Sequence, residues 1–162
     1  MVARLRNIRR GGATLLLSLA FAAFAYSWFQ GADFRASGRD AVVVRVIDGD
    51  TFVIRGGERV RLIGIDTPEK GKPGAAQATA RTKRLVLGKR VRLEKDVSER
   101  DRYGRLLRYV YVGRVFVNAE LVRSGYARMA TFPPDVRHAE DFLRLQREAQ
   151  RAGRGMWGFY RP

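Results

Sequence analysis

VVVRVIDGDTFVIRGGERVRLIGIDTPE, residues 42–69, decides the fold. Val42–Ile47 is β-branched almost throughout and stops at Asp48-Gly49, a turn dipeptide. Thr51–Arg55 reads as a second strand, Gly56-Gly57 as a hairpin turn and Glu58–Ile65 as a third strand, so the stretch is an antiparallel meander. Acidic turns close the first and third strands. Asp48, Asp50 and Thr51 stand at one, Asp66, Thr67 and Glu69 at the other, where Pro68 fixes its own φ and pushes Thr67 toward an extended backbone. Four acids within 22 residues repel one another unless a cation lies among them. Carboxylates and a threonine, with no cysteine or histidine nearby, form an oxygen-ligand set suited to Ca²⁺ or Mg²⁺ rather than zinc. Arg61 beside such a set points to a phosphate, and together these residues suggest metal-dependent phosphodiester chemistry. Strict alternation along Arg61–Asp66 puts the two side chains on opposite faces, so an irregularity is expected near Gly64.

Downstream, Lys70–Gly74 reads as a short loop and Ala75–Leu87 as a helix stopped by Gly88. Arg90–Glu94 alternates charged and apolar residues as a half-buried strand does. Asp96–Gly104 is a charged loop, and Leu106–Val112 with Arg114–Val117 forms a hairpin about Gly113. Asn118 is expected to cap a helix over Ala119–Ser124, and Asp135 to cap the last helix, Val136–Ala152. On that helix Phe142, Leu145, Ala149 and Ala152 share one stripe. The pattern predicts an α+β protein, an OB-fold five-stranded β-barrel capped by about three helices, with a mixed α+β sandwich as the alternative.

Upstream, residues 2–10 carry Arg4, Arg6, Arg9 and Arg10 without an acid, and Ala13–Phe29 is apolar apart from Thr14, Ser18 and Ser27. A basic start followed by an apolar run has the form of an export signal. Ala23-Phe24-Ala25 offers a cleavage site, while Tyr26, Trp28 and Phe29 stand where an interfacial aromatic belt would. Residues 1–30 are therefore a signal peptide or, the reading we prefer, an N-terminal apolar helix that anchors the chain in a membrane. Residues 31–40 form a linker and residues 41–160 one domain. Either way the domain is expected outside the cytoplasm, periplasmic or extracellular.

Composition narrows the partner. Thirty-two Lys and Arg against 16 Asp and Glu give a formal charge of +16, and loss of residues 1–25, with their four arginines, lowers it only to +12. Such an excess favours a polyanion, either nucleic acid or an anionic membrane surface. The absence of cysteine excludes disulfides, a thiolate nucleophile and zinc–thiolate sites. His138 is the only histidine and reads as structural, which leaves general acid–base work to a carboxylate or to water.

Three motifs in order carry a specific resemblance: Val46-Ile47-Asp48-Gly49-Asp50-Thr51, Arg61–Glu69, and Asp101-Arg102-Tyr103-Gly104-Arg105. Val117–Val122, Gly125-Tyr126-Ala127 and Gly155-Met156-Trp157 extend it, so that Val42–Gly158 resembles the staphylococcal nuclease (thermonuclease) family. The resemblance implies an OB-fold, calcium-dependent hydrolysis of DNA and RNA, and 3′-phosphate ends. By position it implies that Asp50, Asp66 and the Thr67 carbonyl hold calcium with Asp48 close behind. It likewise makes Glu69 the base or water-orienting carboxylate, has Arg61 and Arg105 grip the scissile phosphate, and has Tyr103 contact a phosphate. Arg102 and Phe132 are further candidates for substrate contact. Family members often carry nucleotide-packing tyrosines where Thr131-Phe132-Pro133-Pro134 stands here, and the loop after Glu69 is short. A non-catalytic basic OB-fold module that binds nucleic acid is the competing class; it needs the lysines and arginines but not Asp50, Asp66 and Glu69 together. A membrane-surface module would account for the charge and for residues 13–29, but not for the acids. The chain is expected to act as a monomer.

Export gives the first prediction. Residues 1–40 fused to a reporter active only outside the cytoplasm should switch it on, and N-terminal sequencing of the full chain then separates a cleaved signal from an anchor. A well-expressed but silent fusion would contradict export.

Overall fold

The structure is a computed structural model that describes residues 39–158. The apolar run 13–29, its signal or anchor reading and most of the linker lie outside the described residues. Among the described residues no helix is long and apolar enough to cross a membrane.

The meander forms β1 (Arg39–Val46), β2 (Thr51–Ile54) and β3 (Arg59–Leu62), all antiparallel. After β4 (Gly64–Asp66) and α1 (Ala75–Val86), the strand β5 (Arg90–Glu94) returns along β1, and β6 (Leu106–Val112) returns along β5. Parallel pairing of β3 with β6, from Val60↔Leu106 to Leu62↔Arg108, closes these five strands into a barrel. Closure leaves the barrel strands without an open edge, and the buried side chains of Val43, Phe52, Val60, Leu62, Val91 and Val110 fill its interior. The short β7 (Val115–Phe116) leads directly into α2 (Val117–Arg123); β8 (Arg128–Ala130), α3 (Ala139–Arg151) and a 3₁₀ turn, Gly155–Gly158, complete the described elements. Leu121 and Val122 of α2 and Phe142 and Leu145 of α3 join the barrel core. Among the described residues the expected α+β OB-type barrel with three helices is thus the observed fold.

The expected third strand is two strands. Gly64 takes a left-handed φ of 77°, which glycine adopts without a side-chain penalty, and the chain leaves the barrel there. β4 then pairs with β8, Gly64↔Ala130 and Asp66↔Arg128. A Cβ at Gly64 would also lie 2.5 Å from a ring carbon of Phe142, so α3 packs directly on this break. The irregularity expected near Gly64 is real.

Two capping assignments are corrected. Asn118 lies inside α2, which starts at Val117, and its side chain is fully buried. Its Oδ1 accepts the Val110 amide at 3.0 Å and its Nδ2 donates to the Ile63 carbonyl at 2.9 Å, joining β6 to the β3–β4 break. Asp135 does not cap α3. His138 occupies the cap position of that helix without a side-chain bond, and Asp135 accepts the amides of Val97 and Ser98 at 2.9 and 2.8 Å. In both cases unpaired backbone groups of distant elements outcompete the local helix end. Ala152 follows α3 and is exposed, so the buried stripe is Phe142, Leu145 and Ala149.

Replacing Asn118 with Ala leaves the Val110 amide and the Ile63 carbonyl unpaired in the core. The expected loss of stability is about 1–3 kcal/mol for each group left without a partner, measured by denaturant unfolding. A variant as stable as the parent chain would show that this bridge contributes nothing.

Candidate active site

Asp48 begins the turn between β1 and β2, and its Oδ1 accepts the Asp50 amide at 3.1 Å, which shapes the turn. Asp50 is then directed inward, only 6% exposed. Its Oδ2 accepts the Thr67 amide at 3.0 Å and the Thr67 hydroxyl at 2.9 Å, while Oδ1 accepts the Thr51 hydroxyl at 3.1 Å. The two acidic turns are therefore stitched together by the side chain of Asp50. Gly49 is required for this closeness, because a Cβ there would lie 2.6 Å from the Thr67 hydroxyl oxygen.

Arg61 sits between the turns. One guanidinium nitrogen donates to the carbonyls of Leu62 at 2.8 Å and Ile65 at 3.0 Å and lies 3.2 Å from Asp50 Oδ2. The other donates to Asp66 Oδ1 at 3.3 Å. The break at Gly64 makes this possible, since a continuous strand would aim Arg61 and Asp66 apart.

Burial is the largest influence on Asp50 and pushes its carboxyl above the ordinary value of 3.8; the nearby Asp48 pushes the same way, against Arg61 and the bonds from Thr67. Burial thus outweighs the Arg61 guanidinium in setting the Asp50 carboxyl.

The loop before β6 brings the third motif alongside. Arg105 bonds through Nε to Asp101 Oδ2 at 2.7 Å and reaches the Thr51 hydroxyl at 3.4 Å. Asp101 also accepts the amides of Tyr103 and Arg105, and these bonds with the Arg105 guanidinium outweigh burial, so its carboxyl is held below the usual range. Arg61, Arg102, Tyr103, Arg105, Phe132 and Pro133 line one groove of about 480 Å³. Tyr103 is exposed, with the guanidinium carbons of Arg102 and Arg105 at 4.8 and 5.4 Å from its ring centroid. Phe132 is 73% exposed on the same groove, a large apolar surface left in solvent.

Glu69 stands apart. It is exposed and lines a second hollow of about 330 Å³ with Asp66, Thr67, Lys72 and Arg128. Among the described residues no three His, Cys, Asp or Glu side chains converge as a metal-binding group. The donors offered in one place are the Asp50 and Asp66 carboxylates and the Thr67 backbone. His138 is remote in role, packed edge-on against Tyr109 at 4.5 Å between centroids and against Phe116 at 4.9 Å.

Sequence reading missed Arg128. It sits opposite Asp66 across β4–β8 and grips Asp66 Oδ2 through two nitrogens, at 3.0 and 2.8 Å. A basic residue directly after Gly125-Tyr126-Ala127 is the only sequence signal; the pairing that gives it meaning is tertiary.

The comparisons with known proteins agree with this geometry. The family model described as staphylococcal nuclease homologue matches residues 59–158. The chain belongs to the staphylococcal nuclease family. It is 39% identical to a thermonuclease of Staphylococcus hyicus over 124 residues, covering 71% of this chain and 73% of that protein. It is 37% identical to a thermonuclease of Staphylococcus intermedius over 158 residues, 88% of this chain and 94% of that one. Endonuclease YncB of Bacillus subtilis (strain 168) is 38% identical over 124 residues, 70% of this chain and 59% of its own length. With relatives of this kind over most of its length, the chain is a hydrolase of the nuclease class.

The raised carboxyl of Asp50 has a measurable consequence. By linkage, its ionisation lowers stability as pH rises through the ordinary value of 3.8. Asp50→Asn should therefore raise the thermal midpoint of the cation-free protein at neutral pH. The gain should shrink as pH falls toward and below 3.8. A variant less stable than the parent chain at neutral pH would show that Arg61 already compensates Asp50 in full.

Proposed function

We propose that the protein is a calcium-dependent endonuclease that hydrolyses phosphodiester bonds of DNA and RNA and leaves 3′-phosphate ends. The observation that carries the reading is the placement of Arg61 and Arg105 on one groove, each tied to the acidic turn that contains Asp50 and Thr51. Two guanidiniums on one wall can bind the equatorial oxygens of a phosphate as paired donors. A lysine in either place would supply only a point charge.

The donor set fits calcium. It consists of hard oxygens alone, it includes the buried Asp50 carboxylate, and calcium accepts backbone carbonyls and water to complete its shell. Asp50, Asp66 and the Thr67 carbonyl would hold it, with Asp48 behind them. When bound, the ion supplies Lewis-acid polarisation of the phosphate. The remaining work falls to this chain's residues. Arg61 and Arg105 orient the phosphate and bind the charge that grows on it in the transition state. Glu69, placed by Pro68 on the exposed turn beside Asp66, takes the proton from the attacking water or aims that water at phosphorus. Tyr103 and Arg102 contact the flanking backbone, and Phe132 provides a face on which a base stacks. A module that only binds nucleic acid has no use for a buried Asp50 carboxylate set beside Asp66.

The formal charge of +16 supports a polyanionic substrate, engaged by a monomer. Export of the domain, by way of residues 1–30, completes the proposal.

Purified protein should cut plasmid DNA and RNA with calcium and stop with chelator. Arg61→Lys, Arg105→Lys and Glu69→Gln should each lower turnover by roughly 10²–10³ at saturating calcium while circular dichroism shows an intact fold. Wild-type rates in all three folded variants would refute the assignment.

A further inference from the structure

The turn that carries Asp50 is held from a second direction, remote from the groove. Thr82 of α1, fully buried, donates its hydroxyl to the Gly49 carbonyl at 2.6 Å. A threonine inside a helix commonly bonds back to the carbonyl four residues earlier. Thr79, on the same helix, does so, to Ala75 at 2.9 Å. Thr82 instead reaches out of its helix to a peptide 33 positions away.

That peptide lies between Asp48 and Asp50. Its own Cα is pressed against Thr67, where a Cβ would meet three side-chain atoms at 2.6–2.8 Å. Thr67 in turn donates twice to Asp50 Oδ2. Gly49 is thus fixed by two threonines from different elements, one through its carbonyl and one through contact. The platform under Thr82 is itself anchored. Arg81 pairs with Glu120 of α2, and just past α1 the Gly88 amide donates to Val43 of β1 at 2.9 Å.

We propose that Thr82 is a positioning residue for the cation-binding turn, its hydroxyl fixing the Gly49 peptide and through it the direction of the Asp50 carboxylate. The inference rests on Asp50 being a calcium ligand. Groups that orient metal ligands from behind typically change metal affinity by 10–100-fold when removed. A hydroxyl that merely satisfied a buried carbonyl would affect stability and leave the affinity of the folded protein alone.

Calorimetric titration of the full chain with calcium, alone and without nucleic acid, tests this on Thr82→Val, Thr82→Ser and Asp50→Asn. Thr82→Val keeps the side-chain shape without the hydroxyl and should weaken calcium binding by about 10–100-fold. Thr82→Ser keeps the hydroxyl and should restore most of the affinity. In DNA cleavage at saturating calcium, Thr82→Val should lower kcat and leave KM unchanged. Wild-type affinity in folded Thr82→Val, with affinity lost in Asp50→Asn, would overturn the role of Thr82 alone. A serine variant as weak as the valine variant would overturn it too, by assigning the effect to packing of the methyl. Absence of calcium binding in the parent chain would remove the calcium reading and this inference together. If Thr82→Val does not fold, Thr82→Ala against Thr82→Ser decides, and equal affinities overturn the proposal.

Discussion

The guanidinium of Arg61 is held by two backbone carbonyls and two carboxylates that come from separate turns. No local stretch of chain could offer all four. Leu62 belongs to β3 and Ile65 to β4, and they converge because the chain leaves the barrel at Gly64. The break depends in turn on α3, whose Phe142 ring occupies the space a side chain at 64 would need. One interaction between a cation and its cage therefore ties barrel, ribbon and C-terminal helix to the chemistry.

The site is costly to build. Asp50 is buried with its carboxyl held above the ordinary range, and Asp66 is shared by two arginines. Burying a carboxylate without full neutralisation opposes folding, and the barrel core has to supply the difference. A site preorganised in this way gains rate because its charges need not rearrange when the reaction begins.

Much of this was legible in the sequence because it is local. The meander of Val42–Leu62 follows from β-branched runs and glycine turns, and α1 from an alanine-rich run ending before Gly88. The irregularity at Gly64 follows from chemistry, since Arg61 and Asp66 had to meet. What remained hidden depends on tertiary pairing. Parallel closure of β3 on β6 leaves no local mark, and neither does the register that sets Arg128 opposite Asp66. Asn118 and Asp135 look like helix caps by position, yet both serve backbone groups of other elements. Thr82 looks like an ordinary helix residue until the turn it reaches is known.

The central claim is that Asp50, Asp66 and Thr67 form one cation site facing a phosphate held by Arg61 and Arg105. A crystal structure with calcium and a non-hydrolysable nucleotide phosphate tests it most directly. Calcium coordinated by the carboxylates of Asp50 and Asp66 and the Thr67 carbonyl, with both guanidiniums on the phosphate, is the expected result. Calcium bound elsewhere, or a phosphate that engages neither Arg61 nor Arg105, would contradict it.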